Sequence, residues 1–99
     1  MASSGRLISV DFEVFGRVQG VFFRKFTEDT ACKLGLVGWV KNTYSGTVAG
    51  TVQGEEGKIR EMKHWLAYEG SPYSSIDKCN FKNERKISSV EYKRFSTTY

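Results

Sequence analysis

The sequence predicts a single α+β domain in which two helices pack on one face of an antiparallel sheet. Three observations support this prediction: apolar residues alternate with polar ones in several short segments, two other segments repeat at helical spacing, and glycine-containing turns separate them. A chain of 99 residues has room for one core and is too short for a second domain of ordinary size. We therefore expect residues 1–99 to form one domain.

The first part of the chain predicts a strand, a helix and a second strand. Apolar and polar residues alternate from Ile8 to Val14, which is the period of a strand with one face on a core. After a loop bracketed by glycines, apolar or small residues recur at helical spacing. These are Phe23, Phe26, Thr30 or Ala31, and Leu34. Gly35 is typical of a helix end, and residues 36–41 predict a short second strand.

The middle of the chain predicts a hairpin and a second helix. Residues 42–46 are rich in turn formers, and residues 47–53 alternate again, which indicates a turn and a third strand. Residues 54–57 break the pattern before a second helical periodicity, which a glycine and a proline end. The residues that mark this helix and its end are Ile59, Met62, Leu66, Gly70 and Pro72.

The last part of the chain predicts strands at residues 76–81 and 90–95, with a turn at residues 83–86 between them. The resulting order is strand, helix, strand, strand, helix, strand, followed by a short additional C-terminal strand. A compact solution for this order is the ferredoxin-like βαββαβ sandwich, in which both helices cover one face of the sheet. We expect this fold.

Composition narrows the range of functions. The formal net charge of +4 favours anionic partners, but it does not distinguish nucleic acid from a small phosphate compound. Cys32 and Cys79 are too few and too far apart for a disulfide scaffold or a zinc site. No group of His, Cys, Asp and Glu has metal-ligand spacing, so we expect neither a metal nor another cofactor.

The N-terminal residues do not resemble a signal peptide, and no apolar run approaches the roughly 20 residues of a membrane span. We therefore expect a cytoplasmic protein without membrane insertion. No exposed apolar stripe stands out in the sequence, which favours a monomer.

Residues 15–24 form the segment most suited to anion binding. Gly16 and Gly20 let the backbone turn so that amide groups point inward, and the following helix start adds unpaired donors. Arg24, in the first helical turn, offers a planar fork for two phosphate oxygens. The spacing alone is also compatible with a simple tight connection. The segment matches neither the P-loop GxxxxGK[ST] nor the dinucleotide pattern GxGxxG.

Two segments, GRVQGVFFR and GLVGWVKNTYSGTVAGTVQG, resemble the signature segments of the acylphosphatase family, in particular its small vertebrate-type members. The resemblance extends over nearly the whole chain, including MKHWL and GSPYSSIDKCNF. It implies a cofactor-free hydrolase that cleaves acyl phosphates to a carboxylate and inorganic phosphate. It also implies that Arg24 binds the phosphate and that Asn42 positions the attacking water. The loop that would complete the phosphate cradle consists of Gly16, Arg17, Val18, Gln19, Gly20 and Val21.

The resemblance suggests small-molecule acyl phosphates as substrates, and aspartyl-phosphate groups of ion pumps as further candidates. A carboxylate leaving group needs no protonating acid, so positioning and charge stabilisation can supply most of the acceleration. No plausible general base lies near either segment in the sequence. We therefore expect the proton of the attacking water to pass to the phosphate of the substrate.

Other chemically notable residues have simpler structural interpretations. His64, the only histidine, is predicted on the helix face opposite Ile59 and Met62 and far from the loop. Tyr44 can rim the site, but an exposed turn aromatic explains it equally. Cys79 is predicted to be a small core residue, and Cys32 to be exposed. Four acidic residues are predicted in or near the first turns of the two helices, where they favour the helix dipole. They are Glu28, Asp29, Glu55 and Glu56.

Two alternatives to an enzyme remain. RNA-recognition domains share the βαββαβ order, but they carry aromatic residues on the third strand, where this chain has TVAGTV. We therefore expect no nucleic-acid partner. A ferredoxin-like domain can also act as a regulatory module without turnover. The presence of both Arg24 and Asn42 favours the enzyme.

Overall fold

The computed structural model describes residues 6–98, and these residues form five strands and two α-helices. The strands are β1 (Leu7–Arg17), β2 (Val37–Asn42), β3 (Val48–Glu55), β4 (Ser75–Ile87) and β5 (Phe95–Thr97). The helices are α1 (Phe23–Lys33) and α2 (Glu56–His64), and a π-helical turn, Trp65–Glu69, continues α2. Within residues 6–98, neither helix has both the length and the apolar composition needed to cross a bilayer.

The strand order is β4-β1-β3-β2-β5, and the four longer strands pair antiparallel. This arrangement confirms the predicted ferredoxin-like sandwich. The short C-terminal strand is present, but it pairs parallel to β2 and makes the sheet mixed. It also lies at Phe95–Thr97 rather than at residues 90–95.

The core lies between the sheet and the two helices. Ile8, Val10, Phe12 and Val14 are buried in β1, as their alternation predicts, while the intervening Asp11 and Glu13 stay partly exposed. The two helices add one buried stripe each. These stripes are Phe23, Thr27 and Ala31 in α1, and Ile59, Met62 and Leu66 in α2 and its π-helical turn.

The helical spacing that includes Phe26 implies that this residue faces the core, but the structure does not place it there. Its side chain is 38% exposed, and Thr27 occupies the buried position instead. On a helix, residues four positions apart lie closer to the same face than residues three positions apart. Phe23, Thr27 and Ala31 follow one another at this spacing and therefore share the buried face. The Thr27 hydroxyl is satisfied because it donates to the carbonyl of Phe23 at 2.8 Å.

The predicted turn at residues 83–86 is also wrong, because these residues lie inside β4. Asn83 has a positive φ of 55° at the point where the pairing between β1 and β4 shifts register. A β-bulge of this kind absorbs an extra residue without ending the strand. The local break in the alternation therefore indicated an irregular strand and not a chain reversal.

Residues 88–94 form a connection that packs on the sheet face away from the helices. Gln53 and Glu91 form two hydrogen bonds of 2.7 Å, and the Trp39 indole donates to the hydroxyl of Tyr92 at 3.2 Å. These contacts explain why the fully buried side chain of Gln53 is tolerated there. They also fix the path of the connection, which leads into β5 beside β2.

The boundaries at the helix starts differ from the prediction. β3 continues through Gly54 to Glu55, and α2 begins at the next residue. Glu56 lies in the first turn of α2, as expected. The first turn of α1 contains no acidic residue, because the helix starts at Phe23 and places Glu28 and Asp29 in its second turn.

Candidate active site

The loop between β1 and α1 adopts backbone conformations that require glycine at two positions. Gly16 has φ 131°, and a Cβ on it would lie 2.2 Å from the carbonyl oxygen of Ser75. Gly20 has φ 76°, a conformation that side chains with a Cβ rarely adopt. The two glycines allow the chain to leave β1 tightly against β4 and to enter α1 almost at once.

The start of α1 borders this loop. The first hydrogen bond at the helix start runs from the amide of Phe26 to the carbonyl of Phe22 at 3.1 Å. Amide groups in the first turn of a helix lack intrahelical acceptors and carry a positive partial charge. The loop and the helix start therefore form a local environment that favours an anion.

A cavity of about 430 Å³ lies at this helix start. It brings together Arg24 and Asn42, which belong to α1 and β2. The other lining residues are Val18, Gly20, Phe22, Phe23, Lys25, Glu28 and Thr97. Two of the six predicted loop residues thus line the cavity, and both predicted catalytic side chains do.

The remaining predicted loop residues take supporting positions. Gly16 and Arg17 end β1, where they pair with the first residues of β4. The carbonyl of Val21 accepts a hydrogen bond of 2.8 Å from the buried hydroxyl of Ser71. Gln19 links the loop to the hairpin between β2 and β3.

The contacts of Gln19 join the two halves of the site. Its side-chain amide donates to the carbonyls of Thr43 and Thr47, both at 2.9 Å. The Thr47 hydroxyl donates to Glu13 at 2.7 Å and lies 2.6 Å from the hydroxyl of Thr43. This network fixes the loop relative to the residues that follow Asn42. Sequence reasoning missed the two threonines and Glu13, and the only available signal was a polar glutamine between apolar neighbours.

Arg24 is also held from the C-terminal side of the molecule. Its Nη1 donates to the carbonyl of Thr98 at 3.2 Å. Next to it, the Thr97 hydroxyl donates to Oε1 of Glu28 at 2.6 Å. The end of β5 therefore contributes to the cavity wall, which no local sequence pattern indicated.

Asn42 has an unusual environment. Its backbone is fixed in the ladder between β2 and β3, opposite Val48. Its Oδ1 is buried and has no hydrogen-bond partner within residues 6–98. Buried polar atoms are nearly always paired, so the unpaired oxygen of Asn42, a residue that lines the cavity, is an exception among the described residues.

The other residues considered from the sequence lie outside this cavity. His64 is exposed and lies 3.7 Å from Glu69, and Tyr44 is fully exposed in the hairpin. Cys32 is exposed, and Cys79 packs against the core, as predicted. Partial burial raises the pKa of the Cys79 thiol to about 12, which favours its protonated and less reactive form. Within residues 6–98, no three His, Cys, Asp or Glu side chains are grouped to hold a metal ion.

The fold and the cavity together define a small α+β domain with a cavity between a glycine loop, a helix start and the end of a strand. Comparison with known proteins agrees with this class. The acylphosphatase family matches residues 10–97. The chain belongs to the acylphosphatase family.

Several individual proteins are similar over their whole length. The chain is 61% identical to acylphosphatase-2 of Meleagris gallopavo over 97 residues, which cover 98% of this chain and 94% of the relative. It is 60% identical to acylphosphatase-2 of Homo sapiens over 99 residues and 100% of both chains. The solved acylphosphatase of Coxiella burnetii superposes with a TM-score of 0.84 at 32% identity, covering 99% of both chains. That of Bacillus subtilis gives 0.83 at 34% identity, covering 93% of this chain and 99% of the other.

Proposed function

We propose that residues 1–99 act as one acylphosphatase domain that hydrolyses acyl phosphates to a carboxylate and inorganic phosphate by in-line attack of water. The observation that carries this proposal is that Arg24 from α1 and Asn42 from β2 line the same cavity at the helix start. An anion site beside a water-binding amide is what this reaction requires. Family membership supports the same activity.

Arg24 and the residue 16–21 loop bind the phosphate in this proposal. The guanidinium contacts two phosphate oxygens, and the amides of the loop and the helix start take the others. Charge that accumulates on the equatorial oxygens in the transition state is neutralised by these donors. The hydrogen bond from Arg24 to the carbonyl of Thr98 restricts the guanidinium before the substrate binds.

Asn42 positions the nucleophile. Its carboxamide binds a water molecule and places the oxygen of that water in line with the departing carboxylate. Because the strand ladder fixes the Asn42 backbone, the water is oriented with little additional ordering. The proton of this water passes to a phosphate oxygen of the substrate, and the P–O bond to the carboxylate breaks as the bond to water forms.

The test separates the two roles by measuring benzoyl phosphate hydrolysis and competitive inhibition by inorganic phosphate. Arg24→Ala should raise the Ki of phosphate at least about tenfold, because a charge-assisted contact is lost. Asn42→Ala should lower kcat about a hundredfold or more and leave the Ki within about twofold. Arg60→Ala, on the exposed face of α2, is the matched control for loss of an arginine and should match the parental protein.

Arg24→Lys should fail nearly as fully as Arg24→Ala, because a point charge does not reproduce the two-pronged contact. Parental turnover by Asn42→Ala would contradict the assigned role of Asn42. A parental protein that binds phosphate but leaves benzoyl phosphate intact would favour the alternative of a regulatory module without turnover.

The proposal extends to partners and location. Small acyl phosphates are the substrates, inorganic phosphate is the product, and exposed aspartyl-phosphate groups of ion pumps are candidate protein substrates. The protein acts as a cytoplasmic monomer, without a metal or another cofactor and without nucleic acid. Sedimentation equilibrium and assays with and without a chelator test the oligomeric state and the metal independence.

A further inference from the structure

Two consecutive phenylalanines at the start of α1 point in opposite directions. Phe23 is 1% exposed and packs in the core, where its ring lies 5.5 Å from that of Trp65. Phe22 is 72% exposed, yet it lines the same cavity as Arg24 and Asn42. The ring of Phe22 therefore contributes little to the core and much to the wall of the site.

Phe22 occupies a strained backbone conformation at the start of α1. Phe22 has φ 60° and ψ 23°, a left-handed conformation that is rare for a bulky aromatic residue. Its carbonyl accepts the hydrogen bond from the Phe26 amide at the helix start, so the backbone of the residue is held. Backbone strain at an exposed aromatic residue that lines the cavity points to a role in the site.

The composition of the cavity suggests what that role is. Arg24, Lys25, Asn42 and Gly20 provide the part that suits a phosphate, while the Glu28 carboxylate in the same wall accepts a hydrogen bond from Thr97. Phe22 provides an exposed apolar ring at the same cavity. An acyl phosphate likewise has a polar part, the anionic phosphoryl group, and a part that can be apolar, the organic acyl group.

We propose that the Phe22 ring forms the subsite for the acyl group and makes the enzyme prefer aromatic and large apolar acyl phosphates. This inference rests on the proposed function. A benzoyl group can stack on the ring and remove apolar surface of both from water, whereas an acetyl group offers one methyl. Because the phosphate contacts are the same for both substrates, the ring changes selectivity and not phosphate affinity.

The experiment compares kcat/KM for benzoyl phosphate and acetyl phosphate in the parental protein and in Phe22→Ala, Phe22→Leu and Phe22→Tyr. In Phe22→Ala, kcat/KM for benzoyl phosphate should fall roughly five- to tenfold, mainly through KM, as expected for loss of one aromatic contact. The value for acetyl phosphate and the Ki of inorganic phosphate should stay within about twofold. Phe22→Tyr should keep the parental preference, and Phe22→Leu should be intermediate.

Tyr68→Ala is the control, because Tyr68 is similarly exposed at 77% and does not line the cavity. It should leave the ratio of the two kcat/KM values unchanged. Equal losses for both substrates in Phe22→Ala, or an unchanged ratio, would overturn the subsite while leaving the proposed function intact. A parental protein that hydrolyses neither substrate would overturn both.

Discussion

At the scale of single residues, the site differs from the sequence expectation in one chemical respect. The sequence placed no general base near the two signature segments, but the fold brings Glu28 into the cavity wall. One of its carboxylate oxygens already accepts the Thr97 hydroxyl at 2.6 Å. This hydrogen bond gives Glu28 a structural task, which is to hold the end of β5 against α1.

Glu28→Gln separates this task from base catalysis. Glutamine keeps an oxygen that accepts from Thr97 and removes the ability to take a proton. With the substrate phosphate as proton acceptor, kcat should stay within about threefold, and the pH profile of kcat/KM between about pH 5 and pH 8 should be unchanged. A loss of about a hundredfold or more would identify Glu28 as a general base.

At the scale of elements, activity depends on how the β1–α1 loop sits against the β2–β3 hairpin. In the loop, the side-chain amide of Gln19 donates to two carbonyls of the hairpin, those of Thr43 and Thr47. The hairpin carries Asn42 at its base. In the proposed mechanism the loop provides the phosphate contacts. A shift of one element against the other would move the water away from the line of attack.

Gln19→Glu tests this coupling because it keeps the shape of the side chain and removes both donors. We expect kcat for benzoyl phosphate to fall about tenfold or more, since a small misplacement of reacting groups is costly. The free energy of unfolding should decrease by about 1 to 3 kcal/mol, because a carboxylate would face two carbonyls. Gln19→Ala should lower kcat similarly, and parental kcat in both variants would contradict the coupling.

The same elements show what the sequence could predict. β1 and the two helices were predictable because strict alternation and helical spacing are local properties, as in Val10, Phe12 and Val14. The extent of β4 was not, because the bulge at Asn83 interrupts the pattern that defines a strand. The parallel pairing of β5 depends on the path of residues 88–94 over the sheet, which only tertiary contacts fix.

The residues of the candidate site were likewise predictable only where the sequence carries a local signal. The loop glycines and Arg24 carry a local signal, and the resemblance to a family added Asn42. Glu28 and Thr97 meet across 69 positions of sequence, so their contact follows from the fold and from no spacing rule. Phe22 gave no signal as a site residue, because its backbone conformation and exposure decide its role.

At the scale of the whole molecule, the two cysteines report on global unfolding. Cys32 is exposed, whereas Cys79 packs against the core and its pKa is raised by burial from 9.0 to about 12. The folded state thus favours the neutral thiol. The stability that Cys79 contributes is fully present below pH 9.0 and is lost as the pH rises toward about 12.

At about pH 8, a thiol-specific disulfide reagent should modify one cysteine in the native protein and both in denaturant, since the thiolate is the reactive species. Cys32→Ser should remove the native reaction and leave only the slow modification of Cys79. The rate of that slow reaction should increase with denaturant in parallel with the loss of circular dichroism, because Cys79 becomes reactive only when the sheet and helices separate. Rapid native labelling of Cys79 in Cys32→Ser would show instead that its partial exposure on the edge strand β4 is enough for reaction.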